Sequence, residues 1–423
     1  MTEVHQENRT AHAISHAACD DVNSGRAMGK ALRLFFVNAA CFLVSGLALS
    51  QPNLTVGGQV RPRFEFRNPS GGNWDSFTSM RLRAQVKAQL DRDVSVFVQI
   101  QDVRLWGDEI HPLFDFNGDA IDFHQGYVDF GNLGGSPFSL RAGRQELNLG
   151  GQRLIGAVAW TQQGLAFDGL KVSTTSPKGR LDVIAFKLTE AWGFRNPNDG
   201  ALIGAHGTVT SMENAALNLY ALYNHLDNVK TNQFTIGARL AGSKAKWVYR
   251  IESSLQTGER TGQDVSAFMA GARLGYKVHP KSTVTLWYDY LSGDDDATDG
   301  KLKVFDTLFG TNHKFYGLTD LFLNIPAHTA GLGLQDLAIK TSTKPREDVT
   351  LGVDFHSFLL AKKAALASAH LGKEIDVTLS YRYAKGVSFG GGVSYVLQDT
   401  ALATIGRLTK DSTWGYLMTN IVF

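Results

Sequence analysis

Arg81, Arg83 and Lys87 stand on the odd positions of one stretch, and Gln85, Gln89 and Asp91 fill the odd positions around them. Side chains two residues apart share a face only in an extended strand, so these groups would present a row of donors and positive charge. The chemistry this suits is recognition of anions, because a guanidinium offers a planar fork to carboxylate oxygens. Arg61, Arg63, Arg67, Arg141, Arg144, Lys246, Arg250, Arg273, Lys340 and Arg382 recur in similar settings, with Glu65, Asp129, Glu146, Asp168, Glu252, Asp289 and Asp354 among them. Such charges either line a polar path or pair with one another and brace a wet interior, and both roles are expected here. The excess of cations in the first five strands favours an anion path.

No serine sits in a plausible nucleophile setting, and no His, Asp or Glu cluster has metal-site spacing. Asp294, Asp295, Asp296 and Asp299 could offer oxygens to Ca²⁺, but the ordered Gly and terminal Glu of an EF-hand loop are missing, so a solvated acidic loop tip is expected. His313 is read as a hydrogen-bonded loop residue. No catalytic centre, cofactor or metal is expected.

The elements that position the cations are long strands. Met80, Leu82, Ala84, Val86, Ala88 and Leu90 oppose the odd positions without a fault, the period of two of a strand with one apolar face. The run is about twelve residues, about twice a usual soluble strand, and suits a tilted bilayer crossing of roughly 9–11 residues. The same alternation recurs at 54–66, 94–101, 246–256, 268–277, 284–290, 349–355, 375–381 and 387–397. Short turns are predicted near Arg92, Gly134, Pro177, Ser243, Pro280, Lys344 and Lys385. Longer connections are predicted near 67–77, 106–121, 149–162, 257–265, 292–333, 359–372 and 399–411, and the 292–333 loop is long enough to fold inward. Short turns on one side and long loops on the other are the mark of an outer-membrane barrel with an even strand number. Parity requires one further strand near Leu202–Val209, turning at Ser211–Asn214, which brings the total to about eighteen. The fold class is therefore all-β: a transmembrane antiparallel barrel with short periplasmic turns and long extracellular loops. A barrel this wide encloses water, and cation rings within it would select anions. Trp160, Trp192, Trp247, Trp287 and Trp414 are expected in interface belts.

The chain has 423 residues, a formal net charge of +2 and two cysteines. Near-neutral charge gives no support for a nucleic-acid partner, and no apolar run after the N-terminal region is long enough for a membrane helix. Residues 28–33 are basic, 34–49 are mostly apolar, and Ala48-Leu49-Ser50 suits cleavage before Gln51. Residues 1–50 are thus read as an extension and signal peptide starting at Met28, and 51–423 as the barrel. Cys19 and Cys41 precede the cut, so the mature chain would carry no disulfide. Phe423 ends an amphipathic strand with Ile421, Thr419 and Leu417, resembling the signal read by the barrel insertion machinery.

Two stretches are more specific. Gly143-Arg144-Gln145-Glu146-Leu147 runs into 151–156 and on to Trp160 and Phe167-Asp168-Gly169; later, 290–295 leads through 305–317 to Asp320-Leu321-Phe322. With 354–358 and 372–376, these resemble the alginate-export family of outer-membrane porins over 59–423. The resemblance implies an eighteen-stranded barrel, a monomer, and passage of alginate, a uronic-acid polymer, through an Arg/Lys-lined constriction. The matching stretches here hold Arg81, Arg83, Arg144, Arg153 and Arg382, with Glu146 and Asp168 as acidic partners. The expected partners are outer-membrane lipid and lipopolysaccharide of a Gram-negative bacterium, and an anionic polysaccharide or small anions. A diffusion porin for other solutes is the alternative. A barrel phospholipase would need Ser and His on the lipid face, which the outward positions scarcely hold. A secreted soluble sugar-binding β protein would have shorter strands and charges outside.

Overall fold

The alternation of residue types becomes an alternation of inside and outside. In the computed structural model of the protein, residues 52–107, 121–190, 198–296 and 298–423 are described. The signal peptide and Trp192 lie outside the described residues. The strands are β1 (Asn53–Asn68), β2 (Asp75–Asp91), β3 (Val94–Leu105), β4 (Asp122–Phe130), β5 (Phe138–Gln145), β6 (Phe167–Ser176), β7 (Gly179–Thr189), β8 (Gly200–Val209), β9 (Ala215–Leu226) and β10 (Thr231–Lys244). They continue with β11 (Trp247–Arg260), β12 (Gln263–His279), β13 (Ser282–Leu291), β14 (Lys301–Leu302), β15 (Leu334–Arg346), β16 (Val349–Leu359), β17 (His370–Ala384), β18 (Val387–Gln398) and β19 (Ser412–Val422).

Each wall strand pairs antiparallel with its neighbours, and β1 pairs with both β2 and β19, which closes the ring. β13 pairs directly with β15, while β14 only runs two residues parallel to β12. With β14 set aside, eighteen of the nineteen strands form the wall. Closure leaves no open edge, so the backbone donors and acceptors of the wall are paired within it, as a bilayer requires. The strand inferred from parity near Leu202–Val209 is β8 (Gly200–Val209), and it pairs with β7 and β9 along its length.

On β2, Leu82, Val86 and Leu90 are 41%, 41% and 47% exposed, whereas Arg81 and Arg83 are 3% and 8% exposed. On β11, Ile251 and Leu255 face outward while Arg250, Glu252, Ser254 and Gln256 are buried within. The apolar face is thus the lipid face and the charged face the lumen.

Three connections differ from the sequence expectation. The turns expected near 243–244 and 344–346 lie two residues further on, because pairing persists through Lys244↔Trp247 and Arg346↔Val349. The loop expected at 257–265 is only the turn Thr261–Gly262, since β11 and β12 stay paired up to Arg260↔Gln263. Thr261 and Gly262 have φ of 54° and 80°, the double positive φ of a tight hairpin whose twist matches its strands.

The outer loops L3 (146–166) and L7 (292–333) turn into the barrel. Their apolar residues, among them Leu154, Ile155, Phe305, Phe315 and Phe322, are buried against inward residues of the wall such as Phe186, Met269 and Phe358. The lumen is therefore partly filled by a packed core on the side of β6–β18. Of the expected aromatic belt, Trp247 lies outward beside Tyr276, while Trp287 and Trp414 are buried on the lumen face and Trp160 sits inside on L3. Their strand parity, or their loop, decides against lipid.

The wall's two faces predict opposite responses on β13. Leu286→Arg, on lipid, should destabilise the folded barrel by about 2–4 kcal/mol. Thr285→Arg, on the lumen face, should cost far less. Denaturant titration of the two variants in bilayers, followed by the heat-modifiable gel shift, measures the difference.

Candidate functional site

The first two strands bring Arg61, Arg63, Arg81 and Arg83 to one patch of the lumen, with Arg61 directly opposite Arg81 in the ladder. Their donors are taken by L3. Arg61 gives Nε–H to Gln162 Oε1 at 3.0 Å and its Nη donors to the carbonyls of Ala159, Trp160 and Thr161 at 2.7–3.2 Å. Arg81 reaches Gln59 and the carbonyls of Thr161 and Gln162. Arg63 donates to Glu65 and to the Trp160 carbonyl, and its guanidinium lies 4.4 Å from the Trp160 ring. His313 of L7 stacks on Trp160 with ring centroids 4.2 Å apart and planes 3° off parallel. The bend of L3 is an irregular segment inside a barrel, and its carbonyls need donors that a strand ladder cannot supply. The arginines supply them.

Arg83 donates to Gln101 and to Glu146 Oε1 at 3.0 Å, and the Nε2 of His124 lies 2.9 Å from Arg83 Nη2 and 2.8 Å from the same Glu146 oxygen. One ring nitrogen cannot accept from Arg83 and donate to Glu146 together, so the trio depends on where its proton sits. Burial pushes the Glu146 carboxyl up, but the hydrogen bond with His124 and the charge of Arg83 prevail and hold it below its ordinary range.

L3 and L7 are joined through Arg153, whose side chain is fully buried. It meets both oxygens of Asp289 at 2.8–2.9 Å, the Tyr316 hydroxyl at 2.6 Å and the ring of Phe315 at 4.0 Å, with Glu252 at 3.7 Å. Burial opposes the charge, yet Asp289, Tyr316 and Glu252 together push the Arg153 pKa up. The loop backbones also pair: Gly156 N–H donates to Phe309 O, Phe309 N–H to Leu154 O, and Thr311 N–H to Gln152 O. The contact needs small residues, since a Cβ on Gly310 would lie 2.2 Å from Arg153 O. L7 is fixed to the far wall by the buried Glu374 and Asp376, which accept from the backbone N–H groups of Thr319 and Leu318.

The remaining expected residues are spread over the wall. Arg141 pairs with Asp129, Arg144 with Asp168, Lys340 with Asp354 and Arg67 with Asp75. Lys87 lines the periplasmic side of the lumen. Lys246 lies in the turn after β10, beside Tyr276. Arg382 has lumen parity but stands exposed at the periplasmic rim, near the Glu347 carbonyl. Arg250 and Arg273 face each other on β11 and β12 beneath Phe315. His313 pairs with Asp320, and Asp294, Asp296 and Asp299 accept from neighbouring backbone N–H groups. Sequence reasoning missed His124, Asp336, His356, Glu374, Asp376 and Tyr316. Period-two parity could have found Asp336, His356, Glu374 and Asp376; His124 sits on a bulge of β4 that breaks the parity, and Tyr316, on a loop, gave no such signal.

Two cavities lie along the β1–β7 wall. The outer, of about 930 Å³, is bounded by β1–β4, L3, L7 and 407–414, and shows Arg67, Arg104, Arg144 and Arg407. The inner, of about 360 Å³, lies at the periplasmic side among Lys87, Arg141, Lys171 and Arg180. Between them on β2 stand Arg81, Arg83 and Gln85, and the amides of Gln85, Gln99 and Gln125 hydrogen-bond in series.

Arg153→Met should leave Asp289 buried without its partner, a loss of about 3–5 kcal/mol. Freed loops should appear as larger and noisier single-channel conductance than wild type. A second expectation concerns acid. The lowered Glu146 pKa contributes stability that is fully present above the ordinary glutamate value of about 4.3. That contribution is lost as pH falls through the folded value. Channel noise should therefore rise at low pH, and Glu146→Gln should show the raised noise already at neutral pH with a flatter pH response.

Comparison with known proteins places this arrangement. The sequence profile of the Alginate export family matches residues 53–406. No curated protein matches. Among solved structures, OccAB4 of Acinetobacter baumannii superposes with a TM-score of 0.62 at 11% identity, covering 89% of this chain and 100% of that one. The outer membrane protein OprD from Pseudomonas aeruginosa gives 0.60 at 12% identity, covering 88% and 94%. These likenesses are of fold.

Proposed function

The chain belongs to the alginate-export family, as a porin channel of the Gram-negative outer membrane, and from that premise we propose that it passes anionic solutes carrying uronic-acid carboxylates. Passage is passive, with no chemistry on the solute. The observation that carries this reading is the pair of cavities on one wall, both rimmed by cations. The outer cavity falls in the range of roughly 300–1,000 Å³ that holds a small molecule. With L3 and L7 in place, the route suits a uronate or a short oligomer; a continuous alginate chain would need the loops to move aside.

The charge that a solute meets lies at the two ends of the route. Arg61, Arg63 and Arg81 are occupied by L3 carbonyls and Arg83 by Gln101, Glu146 and His124, so they act by holding the loop and by their field. Lys87 and Lys171 at the inner mouth and Arg104, Arg144 and Arg407 at the outer one meet the solute. The barrel works as a monomer, since apolar side chains such as Phe64, Val98, Phe234, Leu286, Val353 and Leu417 face outward on strands right round the ring. Residues 1–50 serve export. Phe423 serves recognition by the assembly machinery, and its backbone exchanges hydrogen bonds with Gly58 at the seam.

Planar bilayers under a KCl gradient provide the test. Wild type should show an anion-selective reversal potential, and Lys87→Gln with Lys171→Gln should move it toward zero. Glucuronate and short uronate oligomers should reduce the current while glucose should not. Cation selectivity in wild type, or equal effects of glucuronate and glucose, would sink the reading.

A further inference from the structure

Arg250 and Arg273 are a different case from the arginines of β1 and β2. They stand opposite each other in the β11–β12 ladder. Arg250 is 7% exposed, and its Nε and Nη2 are buried with no hydrogen-bond partner. The same two atoms of Arg273 are buried and unpartnered. The nearest carboxylate to Arg250 is Glu252 at 4.0 Å, and Glu252 is also drawn toward Arg153 at 3.7 Å. Asp289 is committed to Arg153 through two contacts. Arg273 has no ion pair among the described residues.

Other cations crowd the same spot. The indole of Trp287 has Arg273 over its ring, the Arg250 guanidinium 5.3 Å from its centre and the Lys340 ammonium 4.6 Å from it. Phe315 of L7 lies 5.2–5.6 Å from both guanidiniums. Lys314, next in L7, has its pKa pushed down by burial and then by Arg273, Arg250 and Arg239. Aromatic faces offset part of such a charge. They do not satisfy N–H groups, and a buried unpaired guanidinium is costly. Lys340 has Asp354 at 3.0 Å; the two arginines have no equivalent.

We propose that Arg250 and Arg273 form a binding site for one oxyanion, a carboxylate or an inorganic oxyanion, seated against Trp287 and beneath residues 314–315 of L7. Two guanidiniums with free Nε and Nη2 donors match an anion that carries at least two oxygens. The site lies on the β11–β13 wall, apart from the two cavities on β1–β7, and its occupant helps to hold L7 inward. Because it binds only the folded barrel, the anion raises the stability of that state with concentration.

Calorimetric titration of the folded barrel in detergent tests this, with inorganic phosphate, sodium glucuronate and glucose as separate probes in a chloride buffer. The expected result is saturable binding of phosphate or glucuronate at a stoichiometry near one per barrel, and none of glucose. Arg250→Gln and Arg273→Gln should each weaken it at least about tenfold, and Arg346→Gln at the exposed end of β15 should not. Binding of phosphate alone marks a resident inorganic anion, and binding of glucuronate marks a sugar carboxylate; either upholds the site. The heat-modifiable gel shift confirms that each variant is folded, and Arg273→Lys, which keeps the charge, should retain more binding than Arg273→Gln. Absence of saturable binding in wild type, or binding unchanged in both Gln variants, overturns the site. The bilayer reversal potential reads the channel function independently, so a selective channel without saturable binding would remove this site and leave that function standing.

Discussion

A backbone that leaves the strand ladder inside a membrane barrel must find new partners for its carbonyls and N–H groups. Much of the interior of this protein follows from that constraint. L3 and L7 are irregular, lie within the ring, and carry rows of peptide groups with no strand beside them. The wall meets them with side chains of the complementary sort: guanidiniums under the carbonyls of L3, carboxyl groups under the N–H groups of L7. The charges of the lumen are placed where inward loops need donors and acceptors, and the water-filled route is what remains.

That division separates two kinds of arginine that look alike in a sequence. Arg61 and Arg81 spend their donors on backbone oxygens, so their positive charge is felt by a solute but their hydrogen bonds are not available to it. Arg141 and Arg180 are each matched by an aspartate beside them. Arg153 is a third kind, sealed between two loops by Asp289 and Tyr316. A census of lumen cations therefore overstates how many can grip a passing anion.

The period-two pattern made the wall legible. Alternation at Met80–Asp91 assigned Arg81 and Arg83 to the lumen, and connection parity located the strand near Leu202–Val209, too glycine-rich to announce itself. The extent of L7 was readable because nothing between 292 and 333 alternates. The interior contacts were not readable, because loops have no period. Nothing in the local sequence pairs Arg61 with Trp160 or Arg153 with Asp289, groups separated by about a hundred residues or more and joined only by the curvature of a closed sheet. Residue type named the wrong surroundings for Trp287 and Trp414, which are buried on the lumen face. Residue type suggested a lipid interface, while position on the strand put both rings inside. Where type and parity disagree on a barrel strand, parity is the better guide.

The seam between β1 and β19 has a consequence in time. Gln59 hydrogen-bonds Asn420, 361 residues further along the chain. Contacts of such separation form slowly, because a long loop must be closed before any gain is realised. Until β19 arrives, β1 is an exposed edge carrying unpaired donors and acceptors, the kind of surface that recruits other strands. The first strand to cross into the periplasm is thus among the last to be finished, and it must be sheltered by something other than its own chain for the whole interval of synthesis and delivery.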